Sequence, residues 1–162
     1  MKKFLFILPG LFLLCFLLAI YFLGREAFLC PIKYENGMII RSDGKGGGFF
    51  AAERSGRRLH EGIDLYAAMG TPVLAARSGR VSSAKENRGM GKYVVLRHWG
   101  NISTIYGHLS QIMVRENQFV RRSEVIGLAG KTGNANYRDI QPHLHFEVRK
   151  DGVPVDPSEY LE

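Results

Sequence analysis

From Phe49 onward the chain is a succession of short β-prone segments, most of them bounded by glycine or polar turn residues: T-P-V-L-A-A, G-R-V-S-S-A, K-Y-V-V-L-R-H-W, S-T-I-Y-G-H-L, Q-F-V, E-V-I-G-L-A and H-L-H-F-E-V-R. β-branched and aromatic residues dominate these runs, which suits a pleated, half-buried surface. Turn signals recur every ~8 to 14 residues, too often for helices of useful length, and predict an all-β fold: a small antiparallel barrel or sandwich. No amphipathic helical period appears after the first two dozen residues. The chain has 162 residues, so the remainder has room for one domain of about 110 to 130 residues around a single core.

The N-terminus has a different composition. Phe4 to Leu23 is an uncharged, almost wholly apolar run of 20 residues, about 30 Å long as a helix, which matches the hydrocarbon thickness of a bilayer. A cleaved signal peptide carries a shorter apolar stretch of about 7 to 15 residues and a small-x-small site, whereas here G-R-E-A-F-L-C-P follows. The run therefore reads as an uncleaved transmembrane helix. Lys2 and Lys3 precede it and only Arg25, offset by Glu26, follows, so the charge rule places the N-terminus in the cytoplasm and the rest outside the cytoplasmic membrane. The expected organisation is a cytoplasmic tip and anchor over 1–24, a linker over 25–48 ending in R-S-D-G-K-G-G-G, and a folded domain over 49–162. Cys15 falls within the run and Cys30 just beyond it, which excludes a disulfide framework.

Four of the five histidines fall into motifs that call for a metal: His60 with Asp64 in L-H-E-G-I-D-L, His108 in Y-G-H-L, and His143 with His145 in P-H-L-H-F-E. Two imidazoles and one carboxylate make a good zinc site with a position left for water, and further histidines nearby can manage protons. His143 and His145 are one residue apart in a strand-like run, so they share a face with Cα atoms about 6.6 Å apart. Four residues of straight strand would spread His60 and Asp64 over about 13 Å, too far for one ion. The backbone must bend between them, and Gly62 can supply the bend. His98 in L-R-H-W has no partner motif and is assigned to packing or hydrogen bonding. H-E-G-I-D is not the helical H-E-x-x-H zinc motif, because its fifth residue is Asp64 and Gly62 makes a poor helix centre; Glu61 is expected to be exposed. G-L-A-G-K-T at 127–132 lacks the glycine spacing and the helix of a phosphate loop, so Lys131 and Thr132 are expected to line a turn.

H-E-G-I-D-L-Y-A-A-M-G-T-P-V-L-A-A, V-V-L-R-H, T-I-Y-G-H-L, V-I-G-L-A-G-K-T-G and P-H-L-H-F-E-V together resemble the lysostaphin-like zinc endopeptidases, the LytM-domain family of peptidoglycan hydrolases. The likeness runs from about Phe49 to Leu161. It implies a small β fold with a narrow groove and one zinc ion held by His60, Asp64 and His145, with His108 and His143 as unliganded catalytic histidines. It also implies peptide crosslinks of bacterial peptidoglycan as the substrate, which agrees with a domain placed outside the membrane. Some members of the family lack ligands and act as binding or activating modules for other wall hydrolases, but every ligand position is filled here. One departure is the turn before P-H-L-H. Eight residues, N-A-N-Y-R-D-I-Q, separate Gly133 from Pro142, so a longer loop is expected to flank the groove and bear on substrate choice.

The formal charge of +7 implies an attraction to nucleic acid, anionic lipid or an anionic wall polymer without choosing among them, and a wall polymer suits the family resemblance. Arg54, Arg57 and Arg58, beside the first ligand, are candidate contacts. The positive charge is scattered and no aromatic-basic recognition motif appears, so nucleic acid is not an expected partner.

Overall fold

The computed structural model describes residue 10 and residues 12–18, 27–43, 46–54 and 58–162. Residues 12–18 are helical, but most of the expected membrane span over 4–23 lies outside the described residues. Among those described, no helix is long and apolar enough to cross a membrane.

The domain is built on an antiparallel sheet in the order Phe119–Val120, Gly79–Asn87, Gly91–Arg97, Ile102–Leu109, His143–Lys150 and Val153–Val155, with Ile63–Tyr66 also paired to His143–Lys150. A second sheet joins Gln111–Ile112, Val125–Leu128 and Pro72–Leu74, and two short hairpins pair Ser42–Asp43 with Gly46–Gly47 and Glu53–Arg54 with Arg58–Leu59. Most of these strands coincide with the β-prone runs of the sequence. The remaining described structure holds only two single-turn 3-10 helices, Gly133–Ala135 and Pro157–Glu159.

The period of two explains how the sheet serves both core and site. Along His143–Lys150, Leu144, Phe146 and Val148 enter the core at 0% exposure, while His143, His145 and Glu147 occupy the opposite face and are also buried. The core is continuous between the two sheets, joining Val73 and Ile126 to Val81, Leu96, Tyr106 and Phe146.

The structure corrects the barrel expectation, because the large sheet does not close. Its first edge is the two-residue strand Phe119–Val120. At the other end, the free side of Ile63–Tyr66 is occupied by the preceding chain: Tyr66 N–H donates to Ile39 O at 2.9 Å, Arg41 N–H to Asp64 O at 2.8 Å, and Asp64 N–H to Gly48 O at 2.8 Å. An edge already paired in this way cannot meet the first strand.

Residues 27–43 of the stretch read as a linker are part of the fold. Phe28 is 4% exposed and Ile32 3% exposed, both within the core cluster, and Arg41 is buried beside Asp64. This packing was hidden because residues 27–41 meet the sheets through isolated bridges, Phe28 with Leu161 and Ile40 with Leu65. Such bridges leave no alternating pattern in the sequence.

Candidate active site

Asp64 and His145 are directly opposed across neighbouring strands, a placement that sets Cβ atoms about 5 Å apart. His60 joins them because the chain bends at Glu61 and Gly62 before the strand begins at Ile63. Gly62 is required by close approach rather than by an unusual dihedral: a Cβ there would lie 2.3 Å from the carbonyl oxygen of Phe146. The bend that the spacing demanded is present.

Three donor atoms converge. His60 Nε2 lies 3.0 Å from His145 Nδ1 and 3.1 Å from Asp64 Oδ1, and His145 Nδ1 lies 2.9 Å from Asp64 Oδ1. A tetrahedral ion with bonds near 2.0 to 2.1 Å would hold its ligands about 3.3 Å apart, so this triangle matches to within a few tenths of an ångström. His60, Asp64 and His145 also form a His-Asp-His group able to hold a metal ion.

The partners behind each ligand fix its orientation. His60 Nδ1–H donates to Phe49 O at 2.7 Å and His145 Nε2–H to Glu147 Oε1 at 2.9 Å. A carbonyl and a carboxylate can only accept, so those nitrogens carry protons, and in the singly protonated rings the lone pairs of His60 Nε2 and His145 Nδ1 point inward. Glu147 is buried, and its other oxygen accepts from Arg149 Nε at 2.7 Å. Arg149 also reaches Glu61, which is exposed as expected. Asp64 is divided in the same way: Oδ1 faces the histidines while Oδ2 accepts from Arg41 at 2.9 Å and Arg54 at 2.8 Å.

The carboxylates around His145 favour its protonated form. Burial alone would lower the His145 pKa, but hydrogen bonds to Asp64 and Glu147 outweigh it and raise the value to about 9. For Asp64, burial is opposed by hydrogen bonds from His145 and His60, which hold the carboxyl well below its usual range. Glu147 is likewise lowered against burial by His145 and Arg149. A divalent cation held at the centre would take the place of that proton.

Two further imidazoles face the cluster. His143 Nδ1–H donates to Gln141 O at 2.7 Å, and its Nε2 lies 3.9 Å from Asp64 Oδ1. His108 Nδ1–H donates to Thr132 O at 3.0 Å. The two rings are 5.0 Å apart, centroid to centroid, and that of His108 is 5.7 Å from that of His145. Burial first, and the neighbouring imidazoles second, push the His108 pKa down to about 3; burial also lowers that of His143. His108 has φ of 61°, a left-handed conformation that a residue with a Cβ adopts only when its surroundings impose it.

A groove runs over these residues. It is lined by the buried His60, Asp64, His108, His143 and His145, by Arg54, Arg58 and Leu59, and by Asn134, Tyr137 and Ile140 from the eight-residue loop. Arg57 lies outside the described residues. His98 stands apart, between Ser78 O at 2.9 Å and Thr104 Oγ1 at 2.8 Å, as its lack of a motif predicted. No motif or spacing marks Arg41, Phe49, Thr132 or Gln141 as site residues. The last three act through backbone carbonyls, which every residue type possesses.

Peptidase family M23 matches residues 58–157. The chain belongs to this family. DD-carboxypeptidase/endopeptidase Mpg of Neisseria meningitidis is 44% identical over 100 residues, which cover 62% of this chain and 22% of that protein. The similarity thus spans about a fifth of that relative's length. Among solved structures, a zinc-containing peptidase from Vibrio cholerae superposes with a TM-score of 0.66 at 32% identity, over 80% of this chain and 39% of that one. The antimicrobial peptidase lysostaphin from Staphylococcus simulans gives 0.61 at 30% identity, over 72% and 48%. The SpoIIQ–SpoIIIAH pore-forming complex gives 0.69 at 26% identity, over 85% and 92%.

Proposed function

We propose that this M23 domain is a membrane-anchored zinc endopeptidase that hydrolyses peptide crosslinks of bacterial peptidoglycan. The observation that carries the proposal is the convergence of three inward lone pairs, His60 Nε2, Asp64 Oδ1 and His145 Nδ1, with His108 and His143 beside them in one groove. His60, Asp64 and His145 would hold one zinc ion. A bound zinc supplies Lewis acidity toward a scissile carbonyl and lowers the pKa of bound water towards 7.

The chain's own residues do the rest. His108 and His143 each have Nδ1–H tied to a backbone carbonyl, so each offers a bare Nε2. Their burial keeps them neutral near pH 7. Such an imidazole accepts a proton from attacking water, and the buried imidazolium that results is a strong donor to the departing amine or to a developing oxyanion. Arg54 and Arg58 line the groove where the acidic groups of wall peptides would pass, and the loop bearing Tyr137 and Ile140 lines it too.

The substrate is supported by peptidoglycan DD-endopeptidase ShyA of Vibrio cholerae, 40% identical over 97 residues that cover 22% of that protein, and the location by the apolar run at 4–23. That run would cross the cytoplasmic membrane once, N-terminus inside, with the domain on the outer side. The test is hydrolysis of crosslinked muropeptides by the purified full chain, with zinc content measured, beside His145→Ala. Zinc-dependent cleavage lost in the variant supports the proposal. A second reading, a module that binds wall or partner proteins without cleaving, is favoured by the likeness to the SpoIIQ complex. It wins if the zinc-loaded chain leaves every crosslink intact yet stimulates another wall hydrolase.

A further inference from the structure

The way the chain enters the domain fixes which end faces the bilayer, an inference that rests on the anchored reading above. Phe28 is five residues beyond Leu23, the last residue of the apolar run, a gap that extended chain spans in at most about 17 Å. Yet Phe28 is already buried, stacked edge-on against His98 at 5.6 Å and beneath the Arg77 guanidinium at 5.2 Å. No long tether separates run and core.

Phe28 therefore marks one end of the large sheet. That end carries Arg80 and Arg97, exposed and directly opposed across neighbouring strands, with exposed Phe119 opposite Arg80. Trp99, two residues past Arg97, is 59% exposed. Among the described residues neither Arg80, Arg97 nor Arg121 has a carboxylate within ion-pair distance. Directly opposed like charges cost stability, and although Arg80 Nη1 donates to Asn117 O at 2.7 Å, a carbonyl neutralises neither guanidinium. The nearby Glu162 is engaged by Arg122 at 3.4 Å. The catalytic cluster lies at the other end of the same strands: from Ile102, whose carbonyl bonds His98 N–H, to His108 is six residues, about 20 Å of strand.

We infer that the end bearing Arg80, Arg97, Trp99 and Phe119 rests on the anionic lipid surface into which the apolar run inserts, holding the groove about 20 Å away and facing outward. Arginine matches anionic headgroups, and an exposed tryptophan with one polar edge suits the interfacial layer. The reach of the site is then set by the size of the domain rather than by a flexible arm.

Trp99 is the only tryptophan, so its fluorescence reports on this face alone. The full chain would be reconstituted in vesicles of phosphatidylcholine, with or without phosphatidylglycerol, carrying brominated acyl chains. The expected result is a blue-shifted Trp99 emission, quenched about two-fold or more in the anionic vesicles. Arg80→Glu/Arg97→Glu and high salt should each abolish most of that quenching. Emission that stays water-like in a chain resisting carbonate extraction would overturn this inference and leave the anchor standing. A chain released by carbonate would overturn the anchored reading and this inference with it. The same shift given by soluble polyphosphate without lipid would assign the face to an anionic polymer instead and overturn the lipid assignment.

Discussion

Glu147→Gln isolates the part that a single buried carboxylate plays in readying the metal site. Glu147 is 1% exposed and accepts from both sides, from His145 Nε2 at 2.9 Å and Arg149 Nε at 2.7 Å. Glutamine has the same shape but one accepting oxygen. If that oxygen faces His145, the amide hydrogens meet the Arg149 donor; if it faces Arg149, they meet His145 and favour the tautomer whose proton sits on Nδ1, the atom that should bind metal. Each arrangement leaves one donor opposed to another in a dry site. Loss of such a supporting group weakens metal binding by roughly 10- to 100-fold, or about 1.4 to 2.7 kcal/mol. Competition with a chromogenic chelator measures this directly, and a melting curve of the metal-free variant establishes that it is folded. A folded Glu147→Gln protein binding zinc within two-fold of wild type would refute the argument that Glu147 sets the His145 tautomer.

Three other outcomes follow from the same geometry. Because His145 in the cation-free cluster has a pKa raised to about 9, zinc must displace a proton below that pH; affinity should climb about ten-fold per pH unit from 7 towards 9 and level off above it. Calorimetry in buffers of different ionisation heat should count about one proton released per zinc at pH 7.5, and a pH-independent affinity would contradict the assignment. His108→Ala should retain zinc and lose about 10² to 10⁴ in turnover of crosslinked muropeptides, whereas a loss of zinc binding would make it a ligand. Phe28→Ala should destabilise the domain by roughly 3 to 5 kcal/mol, seen in denaturant unfolding, and a change below ~1 kcal/mol would return residues 25–48 to the role of a linker.

Sequence and structure agree where side-chain chemistry or a strict period carries the information. The parity of His143 and His145, the need for a bend before Asp64 and the runs from Pro72 to Arg149 could all be read from residue type. Barrel closure could not, because it depends on which edge of Ile63–Tyr66 is free, and the chain before the domain takes that edge. Arg41 illustrates the same difficulty: it sits in a mixed stretch before the glycine run, and only the pairing of Ile40 with Leu65 brings its guanidinium to Asp64 Oδ2. The carbonyls of Phe49, Thr132 and Gln141 orient three of the four histidines, a task that leaves no mark on residue choice. Gly62 was expected for its freedom to bend; what the fold uses is its missing Cβ, where the strand carrying Phe146 passes.

If three distant side chains hold one zinc ion while two other histidines remain free of it, crystals of the zinc-loaded protein, measured above and below the zinc absorption edge, will reveal the arrangement. One anomalous peak is expected within about 2.0 to 2.2 Å of His60 Nε2, Asp64 Oδ1 and His145 Nδ1, with His108 and His143 outside bonding distance. A peak elsewhere, or one ligated by His108 or His143, would contradict that arrangement.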